Sequence, residues 1–255
     1  MENYSKNFLT QVIMRADFVR GTVPLTTAPE NLPAELTDEY PLRTAQNRVK
    51  NEVRIQKTPQ GPARTTNSIP FTEFSYASQD KTRRLVLCSE HMFLEARVYP
   101  GFDAMRETFM TALDSLAETG PQLKISRLGL RYIHEIRLPE AEAGPGLGAD
   151  FWEHYINPLL LGGLRFAAND GALARHMCST ELNYGNDRAT IKYGIFNNEY
   201  PKPNRKREFV LDIDTFCIGT LTVGETERKL RDFHRAACDV FETAITDKLR
   251  ERLRG

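Results

Sequence analysis

The sequence predicts an α+β fold: antiparallel sheets built by two successive halves, each running strand, short helix, group of strands and long helix, with the long helices packed on one face. Three observations carry this. Several segments alternate apolar and polar residues with the period of two that a half-buried strand imposes. Two long segments instead repeat apolar residues every three or four positions, the mark of an amphipathic helix. The same order of elements occurs twice, over residues 9–119 and again over 125–253 of the 255-residue chain, which places the boundary between halves near Gly120–Pro121 (1–122 and 123–255).

The first strand spans Leu9 to Phe18, with Val12, Met14, Ala16 and Phe18 on one face and Ile13, Arg15 and Asp17 on the other. Pro24, Pro29 and Pro33 break the next stretch and leave room for a short helix over Ala34 to Tyr40. Alternation returns through Val49, Val53 and Ile55. Thr58 to Ser68 (TPQGPARTTNS) is rich in proline, glycine and small polar residues and reads as a loop. Short strands follow over Phe71–Ala77, Arg84–Ser89 and His91–Val98. From Phe102 the period changes, and Met105, Phe109, Leu113 and Leu116 define a helix that Gly120–Pro121 ends.

The second half opens with RLGLRYIHEIRLP, Arg127 to Pro139, inside a strand from Ile125 to Leu138. Leu128, Leu130, Tyr132, Ile136 and Leu138 share one face with His134, and the other face takes Arg127, Gly129, Arg131, Ile133, Glu135 and Arg137. Asp150 is placed to cap a helix running from Phe151 towards Leu161, although Pro158 disturbs its last turn. Strands follow over Ala172–Tyr184, Arg188–Phe196 and Glu208–Phe216. The chain closes with one helix from about Glu225 to Leu253, roughly 40 Å long at 1.5 Å per residue, whose stripe includes Leu230, Phe233, Ala237, Phe241 and Leu249. That helix is long enough to pair two copies as a homodimer, though burial on its own sheet explains the stripe more simply.

Forty per cent hydrophobic and 27% charged residues place the chain among globular rather than disordered proteins. Basic and acidic residues balance at 34 each, so the molecule as a whole has no general attraction for nucleic acid or an anionic membrane. Apolar runs fall short of a bilayer span. The N-terminus, MENYSKNFLTQV, lacks a signal-peptide layout, and Cys88, Cys178, Cys217 and Cys238 lie far apart as thiols do in a reducing cytoplasm. A cytoplasmic protein is therefore expected.

The stretches YSKNFLTQVIMRADF, ISRLGLRYIHEIRLP and FHRAACDVFETAITDKLRERL together resemble a sporadically distributed family of uncharacterised bacterial proteins. Its most recognisable motif is an Arg-Leu-Gly-Leu-Arg-Tyr strand, and an Ala-Ile-Thr-Asp-Lys-Leu helix closes its chain. The resemblance covers essentially the whole sequence and implies no established reaction. The family's patchy distribution implies exchange between genomes, as for mobile-element or defence genes.

Three sets of residues could carry function. Arg15, Arg127, Arg131 and Arg137 would line one sheet face, with Gly129 leaving space for a planar or anionic group to approach the backbone. Guanidinium forks suit phosphate and carboxylate oxygens. The plainer alternative pairs them with Asp17, Asp212, Asp214 or Glu135 as ordinary cross-strand ion pairs. Lys202, Arg205, Lys206 and Arg207 (within KPNRKR) form a basic group suited to RNA or DNA, or simply a solvated loop. Asp17, Asp212 and Asp214 could hold a divalent metal for phosphoryl transfer if the fold brought them together. No histidine or cysteine has ligand spacing, and no phosphate loop or nucleophile elbow is present. His134 is expected to be a core histidine hydrogen-bonded to backbone. The leading expectation is thus a non-enzymatic protein that uses the arginine-bearing face to recognise a protein partner or an anionic ligand, without cofactor. An RNA- or DNA-binding component of a mobile-element or phage-defence module and a metal-dependent enzyme are the alternatives.

Overall fold

The computed structural model describes residues 4–58, 61–120, 122–138, 148–166, 173–202 and 208–255. Its strands are β1 (Leu9–Phe18), β2 (Leu42–Thr58), β3 (Gly61–Ala77), β4 (Arg83–Leu87), β5 (His91–Ala96), β6 (Ile125–Arg137), β7 (His176–Tyr184), β8 (Asp187–Ile195) and β9 (Glu208–Leu221). The helices are α1 (Ala34–Glu39), α2 (Phe102–Thr119), α3 (Ala149–Trp152), α4 (Gly162–Phe166), α5 (Val223–Ala244) and α6 (Asp247–Arg254). All nine strands belong to one antiparallel sheet. β1 and β6 pair at its middle. From there the sheet runs outward through β5, β4, β3 and β2 on one side, and through β9, β8 and β7 on the other.

The alternation visible in the sequence decides which face is buried. Val12, Met14 and Ala16 of β1, Leu128 and Leu130 of β6, and Leu211 and Ile213 of β9 are sealed from solvent. Over them lie α2, on β1 and β5, and α5, on β6 and β9, and the two helices touch. Phe109, Leu113 and Leu116 of α2 and Leu230, Phe233 and Ala237 of α5 supply the matching apolar stripes. Each leucine or phenylalanine among them contributes on the order of 1.5–3 kcal/mol when removed from water. The two long helices leave the opposite face of the sheet open, and that face carries the half-exposed Arg15, Arg127, Arg131 and Asp214.

Three expectations are corrected. The loop expected over Thr58 to Ser68 is strand wherever it is described: Thr58 ends β2 and Gly61–Ser68 open β3, and the two strands pair over the full seventeen residues of each. β4 borders β3 only at Phe74–Ala77. A proline nitrogen aimed at the open side of β3 therefore gives up no ladder hydrogen bond, which reconciles Pro62 and Pro70 with a strand. The result is a two-stranded ribbon roughly 55 Å long at 3.3 Å per residue, with Val49, Val53 and Ile55 exposed along it.

The helix expected after Asp150 is instead divided. Asp150 sits inside α3, whose N-cap is Gly148. Pro158 starts a separate 3₁₀ turn, Pro158–Leu161, where Asn157 accepts a hydrogen bond from the Leu159 amide (3.0 Å). The terminal helix also breaks, at Ile245 and Thr246, both extended. The released backbone groups pair with the segment after α3: the Asn157 amide donates to the Ala244 carbonyl (2.8 Å) and the Thr246 amide to the Tyr155 carbonyl (3.0 Å). A continuous helix would leave that segment's own groups without these partners.

At the start of α5, the Glu225 carboxylate accepts hydrogen bonds from both the amide (2.9 Å) and the hydroxyl (2.8 Å) of Thr222. Thr222→Ala is expected to cost about 1 kcal/mol, visible as a lowered denaturation midpoint at unchanged m-value.

Candidate functional site

β6 brings the arginines and aspartates together, and its partners are set by register. Arg131 lies opposite Asp214 on β9, and Ile133 lies opposite Asp212. Arg131 nonetheless reaches diagonally to Asp212, donating from Nε and Nη2 to the two carboxylate oxygens at 2.7 and 2.6 Å. A long side chain spans such a diagonal readily. The Asp212 contact holds the Arg131 guanidinium above its ordinary pKa. Arg127 donates to Asp214 (3.1 Å) and approaches Asp17 (4.0 Å). Burial lifts the Asp214 carboxyl above its usual value, although Arg127 and Arg131 pull it down. Arg15 donates to Asp17 (2.8 Å), and Arg137 pairs with Glu135 and Glu208.

The space above Gly129 is filled from within the chain. A Cβ built at Gly129 would lie 3.0 Å from Nη1 of Arg127 and 3.3 Å from Cβ of Phe216. The guanidinium of Arg127 lies over the Phe216 ring at 4.6 Å from its centre. Glycine at this position makes room for Arg127 itself, so the gap expected to admit a planar or anionic group is occupied. Among the described residues, Arg15, Arg127 and Arg131 line none of three cavities of about 650, 1100 and 520 Å³. Arg137 does border one, of about 520 Å³, together with Lys6 and Arg252.

Asp17, Asp212 and Asp214 each face an arginine. Among the described residues no group of three or more His, Cys, Asp or Glu is placed to hold a metal ion. Lys202 is exposed, with Nζ 3.9 Å from Glu199. Arg205, Lys206 and Arg207 lie outside the described residues. The four cysteines are free thiols. Cys88 has the outline of a nucleophile with a base and an orienting group, since its Sγ is 3.4 Å from Nδ1 of His91, whose Nε2 is 3.4 Å from Glu73. Yet Cys88 is fully buried, and burial raises its thiol pKa. A sealed, protonated thiol meets no substrate.

The helix-covered face holds a second constellation, which the sequence reading did not assemble. Tyr132, beside Arg131 on β6, points to the opposite side of the sheet. Its hydroxyl is 2.8 Å from Nδ1 of His234 on α5 and 3.3 Å from the hydroxyl of Tyr99. The His234 ring stacks on Phe102, the first residue of α2, at 4.1 Å and nearly parallel. One turn along α5, Cys238 Sγ is 3.7 Å from His234 Nδ1. His134 stacks on Phe241 at 4.4 Å. It is buried as expected, but its Nδ1 has no hydrogen-bond partner where a backbone contact was anticipated. These residues line a cavity of about 1100 Å³ between α2, α5 and the N-terminal segment. The sequence signals were present but weak: Tyr132 and His134 share one strand face, and His234 and Cys238 are four apart on a helix.

An α+β protein with one half-covered antiparallel sheet is thus defined by the fold. No protein-family model matches the chain, and no curated protein matches it. No described helix is long and apolar enough to cross a membrane.

Proposed function

We propose that the chain is a non-enzymatic interaction protein of the sporadic bacterial family it resembles, and that it docks a protein partner on the open face of its sheet, around Arg15, Arg127 and Arg131. The observation that carries this reading is that the two long helices cover only one face, while the charges of the other are already matched by Asp17, Asp212 and Asp214. Paired charges favour a protein surface over a free anion, because an anion would have to displace a carboxylate from each guanidinium. A partner can instead extend the existing network at its rim, where charge complementarity selects the partner and speeds encounter.

The proposal includes a pseudo-twofold relation between residues 1–122 and 123–255. The outward orders β1-β5-β4-β3 and β6-β9-β8-β7 support it. An axis at the Met14–Leu130 pair makes Arg15 and Arg131 equivalent.

The test is affinity purification of the tagged chain from its own host at physiological salt, wild type beside Ile133→Glu. Ile133 is a half-buried residue of the open face. A specific co-purifying protein that persists after nuclease treatment and is lost with Ile133→Glu is the expected result, with the variant's melting transition still cooperative. Recovery of nuclease-sensitive material with a steep salt dependence favours the RNA- or DNA-binding alternative and overturns the protein-partner reading.

A further inference from the structure

The cavity behind Tyr132 is independent of the open sheet face and has its own chemistry. Its walls are aromatic: Phe102 with His234, Phe241 with His134, and Tyr99 edge-on to Tyr132 at 5.9 Å. Its polar groups are titratable but held neutral. Burial raises the Tyr99 phenol to about 12 and the Cys238 thiol to about 11, and lifts the Tyr132 phenol well above its ordinary value. Burial also depresses His134 to about 3 and lowers His234. Charge is confined to other lining residues, among them Lys6, Asp103, Arg235 and Glu242. Four of the uncharged wall groups therefore offer or accept hydrogen bonds as neutral species, two phenols and two imidazoles.

One of these groups is not satisfied. His134 is 8% exposed, and its Nδ1 is buried without a partner, an arrangement a folded interior avoids because the lost hydration goes uncompensated. Tyr132, two residues back on the strand, is engaged by Tyr99 and His234, which leaves its hydroxyl one acceptor lone pair. The chain thus invests in a polar ring where a phenylalanine would stack on Phe241 equally well.

We infer that this cavity binds an uncharged, planar heteroaromatic ring of nucleobase size, stacked among the Phe102–His234 and His134–Phe241 pairs and hydrogen-bonded by His134 and the Tyr132–His234 pair. The volume suits a small ring system with a substituent reaching the mouth. Stacking selects a planar π-system over an aliphatic body. The groups around the aromatic pairs are neutral, so a ring seated against them keeps its place at least cost when it is itself uncharged, while the charged lining residues, Lys6, Asp103, Arg235 and Glu242, are left for a polar substituent. Ring nitrogens and exocyclic amino or carbonyl groups supply the donors and acceptors that two imidazoles and two phenols can meet.

The test is calorimetric titration of the full chain with adenosine, guanosine, uridine and riboflavin, beside cyclohexanol as an aliphatic ring. At least one of the heteroaromatic probes is expected to bind with a Kd below about 100 μM, and cyclohexanol is not. His134→Phe keeps the stack and removes the ring nitrogens, and should weaken that probe at least about tenfold. Cys238→Trp fills the cavity from α5 and should abolish binding; Tyr132→Phe, which removes a single hydroxyl, serves if either variant fails to melt cooperatively and should weaken binding severalfold. Absence of binding by all four heteroaromatic probes, equal binding of cyclohexanol, or affinity indifferent to these substitutions overturns the inference.

Discussion

Asp212→Ala is expected to lower the stability of the protein by roughly 2–4 kcal/mol, the larger part of what breaking a fully buried ion pair costs. Asp212 is only 8% exposed and takes both donors of the Arg131 fork. Arg131 keeps a substantial share of its side chain in water, 39% exposed, and that solvation relieves some of the penalty and sets the lower end of the range. Asp214, opposite Arg131 in register, is already engaged by Arg127. Turning it to Arg131 would weaken its contact with Arg127, whose other carboxylate neighbour, Asp17, is 4.0 Å away. The double variant Arg131→Met, Asp212→Leu removes both charges and should recover most of the loss. Urea denaturation of wild type, both single variants and the double variant gives the coupling energy directly. A coupling near zero would show that the pair is an ordinary surface contact, and would remove the reason to regard the open face as a charge network matched from within.

Much of this arrangement was legible because strands announce their faces. β1 and β6 were located from alternation alone, and so was the assignment of Arg15, Arg127 and Arg131 to one side and of Leu128, Leu130 and Tyr132 to the other. The possibility that carboxylates would satisfy the arginines was visible too, since Asp212 and Asp214 alternate on β9. What alternation could not reveal was register. Only the pairing of β6 with β9 tells that Arg131 meets Asp212 rather than the Asp214 directly opposite. The role of Gly129 was misjudged for a related reason: its missing side chain suggested an opening, but the nearest long side chain on its own strand lies across it. Composition misled over Gly61–Ser68, where proline and glycine in a ribbon unpaired on both outer sides looked like a loop. Helix periodicity ran through Ile245 and Thr246 without a breaker residue. The break there is made by a distant segment that hydrogen-bonds the extended chain, which no local pattern encodes. The cavity is harder still, since Phe102, Tyr132 and His234 come from three elements and Tyr99 from the connection before α2, spread over more than half the chain.

Acid should reveal His134. In the folded protein burial holds its pKa at about 3, whereas in the unfolded chain it returns to about 6.5. Between those values the unfolded state carries a proton that the native state refuses. The contribution to stability is therefore complete above about pH 6.5 and is lost progressively as pH falls, at up to about 1.4 kcal/mol per pH unit for one proton. His91, His176 and His234 are lowered by burial as well and tilt the curve the same way at the upper end of the window. Most carboxylates stay ionised between pH 6.5 and 5, so the slope in that interval isolates the histidines. His134→Phe preserves the stack on Phe241 and eliminates the unpaired Nδ1. The variant should match or exceed wild-type stability at pH 7, and its stability should fall less steeply from pH 6.5 to 5 by about one proton's worth. Urea midpoints at half-unit pH steps measure both slopes. Equal slopes would mean that His134 takes up its proton in the native state, which requires water or a hydrogen-bond acceptor to reach the ring inside the cavity.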